Sequence, residues 1–117
     1  VILNLTPRVV RLYARTRPDG IDDLATGLLR TIDPQPQPAR LDPLPLMASV
    51  QDDLPVRFVE YGHADNLPAA RDGVFYVVPL DVALSHHPRR ADLLVTHEDV
   101  STSDGTVIGC RSLAQPV

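Results

Sequence analysis

A chain of 117 residues is about the size of one domain and can bury an apolar core without a metal or disulfide to hold it. Apolar residues make up 44%, yet only Tyr13, Phe58, Tyr61, Phe75 and Tyr76 are aromatic and the net charge is −4, which argues against the basic, ring-lined groove that holds single-stranded nucleic acid. No run approaches the roughly 18 apolar residues of a spanning helix, and the lone Cys110 cannot form an internal disulfide, so the expectation is a soluble, cytoplasmic product with no membrane and no nucleic-acid partner.

From the start of the chain, Ile2 to Leu5 and Val9 to Tyr13 read as two short strands, broken at Thr6-Pro7, where the missing amide donor ends a ladder. Ile21, Leu24, Ala25, Leu28 and Leu29 then fall at the spacing of an amphipathic helix, with Asp19 or Asp22 to cap it. Gly27 interrupts that stripe, and Leu28 to Ile32 reads equally as a strand, so both assignments stand at this point. From Asp33 to Pro45 five prolines occur in thirteen residues, which predicts a Pro-rich loop or an edge.

Strand signals are clearer downstream, in Val56 to Tyr61, Val74 to Pro79, Asp92 to Thr96 and Thr106 to Leu113. Asp72-Gly73 and Asp104-Gly105 supply the left-handed backbone of tight turns, and a closing hairpin is predicted across the second. Asp81 to His87 reads as one short helix that buries Val82 and Ala83 and stops before Pro88. Alternating β-α units are not visible. The fold expected is one domain over 1–117, mainly β with α+β as the alternative: a small open barrel or a rolled antiparallel sheet with one or two short helices.

The opening Leu3-Asn4-Leu5-Thr6-Pro7 resembles the "LNLTPH" start of a family of small uncharacterised proteins of bacteriophages, prophages and actinobacterial genomes. Similar segments follow: Asn66-Leu67-Pro68, Asp72 to Val78, Val82-Ala83, Arg90 to Leu94, and an ending from Asp104 to Leu113 that is similar to that family's closing hairpin. Arg8 stands where the family has His. The resemblance implies a phage-like or mobile-element setting and no particular activity.

Searches for catalytic chemistry fail one by one. No Gly-x-Ser-x-Gly elbow presents a nucleophile, Cys110 lies inside a strand, and the glycines are too scattered for a phosphate loop. Glu98, Asp99 and Asp104 offer carboxylates, but nothing in their spacing separates an acid from a base. His86 and His87 diverge by about 100° on a helix, which leaves His63, Asp65 and His97 as the only weak metal candidates and no cofactor expected. Arginine is the remaining route to an anion, and Arg8, Arg57 and Arg111 are predicted to face a common groove. The functional expectation is a non-catalytic binding protein that acts on a protein partner or a small anionic ligand. The alternatives are a virion-associated structural subunit and a small metal-dependent hydrolase.

Overall fold

The computed structural model describes all residues 1–117. In chain order its elements are β1 (Ile2–Asn4), β2 (Val10–Tyr13), β3 (Leu28–Ile32), β4 (Arg40–Gln51), β5 (Leu54–Asp65), β6 (Phe75–Val77), α1 (Leu80–Leu84), β7 (Leu93–Ser101) and β8 (Val107–Ala114). The protein is mainly β, with a nearly closed, barrel-like sheet and one short helix, as expected. Six strands form that sheet in the order β1-β6-β7-β8-β2-β3. Its two ends meet where Pro34 bridges Asn4, the Gln35 amide donates to the Asn4 carbonyl at 2.8 Å, and the Ala39 amide donates to the Leu5 carbonyl at 2.8 Å. The single helix has five residues, and no helix is long and apolar enough to cross a membrane.

Alternation along β6 sorts the core into two parts, because successive side chains of a strand point to opposite faces. Tyr76 and Val78 join Leu5, Ala39, Leu93 and the helix residues Val82 and Ala83 on one face; Val77 joins Val10, Ile32 and Cys110 on the other. Only 15 residues are buried, 13 of them apolar, so the core is small and every buried polar group matters to it. Asn4 is one such group. Its amide nitrogen donates to the carbonyls of Arg8 (2.7 Å) and Ile32 (3.0 Å), and its Oδ1 accepts from the Thr6 amide (2.9 Å) and hydroxyl (2.7 Å).

Several elements differ from the sequence reading. The stripe from Ile21 to Leu29 is not a helix, and Leu28–Ile32 is a strand. The reason is Arg17, 2% exposed and stacked on the Tyr13 ring at 4.5 Å, whose guanidinium takes the carbonyls of Ile21 (3.1 Å), Asp23 (2.8 Å) and Thr26 (2.6 Å). The Tyr13 hydroxyl donates to the Leu24 carbonyl at 2.8 Å, so the acceptors a helix would use are already engaged. The sheet is also mixed rather than antiparallel throughout. β1 pairs with β6, β6 with β7, and β2 with β8, all in parallel, and β6-α1-β7 is a crossover unit too short to show a helical period. The closing hairpin forms as expected: β7 and β8 pair antiparallel, with Gly105 at φ +86° in the turn.

The remaining pair, β4 and β5, forms a separate two-stranded sheet that leaves the barrel where the barrel closes. The predicted Pro-rich segment is a loop only as far as Ala39, since Pro43 and Pro45 lie inside β4. A ladder accepts proline only where the missing N–H would point away from the partner strand, and in a lone hairpin every strand has such an edge. The turn is two residues, Asp52 (φ 49°) and Asp53 (φ 61°), the doubly left-handed geometry that matches the twist of a hairpin. The radius of gyration is 17.2 Å, against about 13 Å for a compact chain of this length, and the excess reflects this arm.

Candidate functional site

The arm is anchored at its base and free beyond it. Leu41 and Ala64 pack against the core, and Arg40 lies opposite Asp65, their charged groups 3.9 Å apart. From Pro43 to Tyr61 no residue is buried, and only Ser49, Val56 and Val59 are even half-buried. Met47 pairs with Phe58, Ser49 with Val56 and Gln51 with Leu54 on one face; Pro45 with Val59, Ala48 with Arg57 and Val50 with Pro55 lie on the other. Leu46, Met47, Val50 and Leu54 are each 65–68% exposed, and Phe58 is 46% exposed. An ordinary half-buried strand turns one apolar face inward and one polar face to water. This ribbon is apolar on both faces and has neither packed.

A cavity of about 660 Å³ lies in the barrel wall between the Thr6–Arg11 segment, the start of α1 and the β7-β8 hairpin. Val9, Leu80, Val95, Val107 and Ile108 line it, with Arg8, Arg11 and Asp99 as its charged groups. Arg11 donates to the Ile108 carbonyl at 3.2 Å, whereas the Arg8 guanidinium is exposed and makes no hydrogen bond or ion pair. No arm residue lines this cavity. A second cavity, about 770 Å³, sits at the base of the arm between Gln35–Gln37 and His63–Pro68.

The three arginines predicted to share a groove are not brought together. Arg8 lines the first cavity. Arg57 lies on the arm opposite Ala48, seven residues beyond the anchoring Ala64, a distance of about 23 Å along a strand. Arg111 is an internal tie: it donates to the Arg17 carbonyl (2.6 Å), the Asp99 carbonyl (3.3 Å) and Asp19 (3.2 Å), with its side chain 14% exposed. The sequence reading placed Arg111 on the last strand correctly but had no means of locating Asp19 beside it, 92 residues away.

The metal candidates are likewise dispersed. His63 Nε2 stands 3.6 Å from Asp65 at the arm base, while His97 lies in β7 opposite Ser112. No three His, Cys, Asp or Glu side chains converge on a point where an ion could sit. His86 turns its Nδ1 toward the Val82 carbonyl and the Ser85 hydroxyl, both at 3.3 Å, and His87 adjoins Arg89. Cys110 is fully buried in the core, and burial pushes its thiol above the ordinary value, opposite to what a reactive thiolate requires.

Glu98 and Asp104 are held ionised rather than poised. Glu98 accepts both terminal nitrogens of Arg15 (2.8 and 2.9 Å) and the Ser112 hydroxyl (2.7 Å), and the Arg15 bond above all brings its pKa down to about 2. Asp104 falls to about 2 through the Thr102 hydroxyl and the Thr106 amide. A carboxyl with a depressed folded pKa adds stability above its unfolded value and loses it as the pH drops through the folded one. Stability is therefore expected to hold from neutral pH down to about 4.5 and to decline toward pH 2. Urea titrations at stepped pH check this, and Glu98→Gln should flatten the acid limb; an unchanged limb in that variant would remove Glu98 from the account.

Comparison with family models, with curated proteins and with solved structures finds no match for this chain.

Proposed function

We propose that the protein works without catalysis, as an accessory or structural component of an assembly of phage or mobile-element type, and that it docks through the β4-β5 arm. One observation carries the reading: a ribbon apolar on both faces, with no residue from Pro43 to Tyr61 buried. Exposed apolar surface rimmed by polar residues marks an interaction surface in soluble proteins, and each large side chain left in water forgoes about 1.5–3 kcal/mol of burial. The setting is drawn from the resemblance carried by Leu3 to Pro7. The arm favours a protein surface over a small anion as the partner, since an anion would need only the Arg8 cavity.

Strand addition is not the expected mode. Pro43 and Pro45 leave the outer edge of β4 without donors at two positions, which blunts pairing with an incoming strand. The faces remain, and they are where substitutions should act. In extracts of the cells that encode it, the wild-type chain is expected to sediment well above the 12.8 kDa of a monomer. A Leu54→Ser, Phe58→Ser variant is expected at monomer size with an unchanged melting temperature, because neither side chain supports the core. A wild-type chain that sediments as a monomer in those extracts, or an assembly indifferent to the arm variant, would overturn the reading.

A further inference from the structure

The arm and the first cavity are complementary to one another, although within one chain they do not meet. Beyond Pro43 the arm carries Asp52, Asp53 and Glu60 against Arg57, so its outer part is acidic and its tip entirely so. The cavity presents apolar walls beside Arg8 and Arg11, with Asp99 as the one acid. Resting on the reading above, we propose that the partner of the arm is a second copy of this chain. The end of one copy's arm seats in the cavity of the next, with Leu54 and Val50 against its apolar walls and Asp52 and Asp53 against Arg8 and Arg11.

Charge favours this arrangement over two arms laid flat on each other, and area tells against the flat pair. Nine residues per strand span about 30 Å, and two strands 4.8 Å apart with their side chains make a ribbon about 10 Å wide. One face then offers on the order of 300 Å², well short of the roughly 800 Å² per partner of a stable interface. A flat pair would also leave Asp52 and Asp53 with no cation but Arg57 beyond Pro43. A cavity already lined by Leu80, Val95, Val107 and Ile108, with Arg8 and Arg11 beside them, supplies a receptor for the turn and the side chains next to it. The contact is heterologous, tip to cavity, so each copy keeps one free arm and one free cavity, and the copies continue into a ring or a filament.

The test uses the purified full-length chain in analytical ultracentrifugation. Wild type is expected to associate in a concentration-dependent way. Leu54→Ser with Phe58→Ser on the arm, and separately Arg8→Glu with Leu80→Ser at the cavity, should each weaken association at least tenfold. Asp52→Asn with Asp53→Asn, which keeps residues tolerant of the turn's backbone, should weaken it several-fold and reduce its dependence on salt. Circular dichroism melts confirm that each variant is folded, and single substitutions replace any pair that is not. The deciding experiment mixes the arm variant with the cavity variant. Each then contributes the surface the other lacks, and a 1:1 dimer that grows no further is expected. If wild type stays monomeric, the inference fails, while an arm-dependent assembly in native extracts would leave the docking function standing with a foreign partner. Association lost in the arm variant, untouched in the cavity variant and unrestored on mixing would also overturn it, in favour of arms packed on arms.

Discussion

Replacing Asn4 by Asp is expected to cost about 3–5 kcal/mol at neutral pH, a large share of the 5–15 kcal/mol that holds a domain of this kind together. The exchange is nearly isosteric, so packing is not the cause. Asn4 is fully buried, and its amide nitrogen is the donor to two carbonyls, those of Arg8 and Ile32. A carboxylate there would confront both oxygens with negative charge and leave both without a donor, each loss worth about 1–3 kcal/mol. The variant should therefore hold its proton to a higher pH than an ordinary Asp. Its stability should be greatest below about pH 4 and fall as pH rises, the opposite slope to that set by Glu98 and Asp104. Urea unfolding of both proteins between pH 3 and 8 measures this, and equal stability at neutral pH would show that these bonds do not hold the barrel closed.

The same residue explains what the opening segment is for. Leu3 and Leu5 point to the α1 side of the sheet, Asn4 points inward, and Thr6 closes a local turn onto Asn4, so Leu3 to Thr6 act together as the clasp of the barrel. Position 8 enters that clasp only through its backbone: its carbonyl accepts from Asn4 and from the Thr6 hydroxyl, and its amide donates to the Thr6 hydroxyl at 3.4 Å. The Arg8 side chain takes no part in the turn and lines the cavity instead. The segment Leu3 to Thr6 is thus a folding device, with the Arg8 side chain beside it at a surface.

Local chemistry in the sequence was enough to place the edge of the first strands at Thr6-Pro7, the closing hairpin at Asp104-Gly105 and the helix that buries Val82 and Ala83. It failed where a distant residue decided the outcome. Arg17 spends its guanidinium on the carbonyls of Ile21, Asp23 and Thr26, and no helical period can announce that. The parallel pairings of β1 with β6 and β2 with β8 join segments some 70 and 100 residues apart and leave no local mark. The arm was legible in part: Val56 to Tyr61 reads as a strand and lies in β5, but its partner β4 and the pairing of the two did not show. Its turn is Asp52-Asp53 rather than Asn-Gly, its first strand holds two prolines, and its two faces are alike, so the apolar-polar alternation that marks a strand is missing. The mark that this pair does leave in the sequence is an apolar stretch from Leu44 to Tyr61 without alternation, interrupted at Asp52-Asp53.

The second large effect is expected at Gly109, where Ala should remove a large share of the stability of the fold. Its backbone is not left-handed, so the requirement is for space. A Cβ there would stand 2.5 Å from the Arg11 carbonyl oxygen and 2.7 Å from a ring carbon of Tyr13. Those atoms belong to β2, which pairs in parallel with β8 at Leu12 and Cys110, immediately beside the glycine. Tyr13 cannot swing aside, because it is 1% exposed, carries Arg17 on its ring and donates its hydroxyl to Leu24. The methyl group must therefore part the two strands, and with them the loop that Arg17 organises. Overpacking of a core typically costs 1–3 kcal/mol; parting a strand pair adds to it, for a total of about 4 kcal/mol. Gly62→Ala on the arm is the matching control, with nothing within 4 Å of its Cβ and no positive φ, and it is expected to be neutral or to stabilise by up to about 1 kcal/mol. Thermal melts of the two variants decide the matter. Trimming the ring with Tyr13→Leu should not rescue Gly109→Ala, because the closer contact is with the backbone oxygen of Arg11. A rescue would locate the strain in the ring instead, and a Gly109→Ala melt within a few degrees of wild type would show that β2 and β8 can part at little cost.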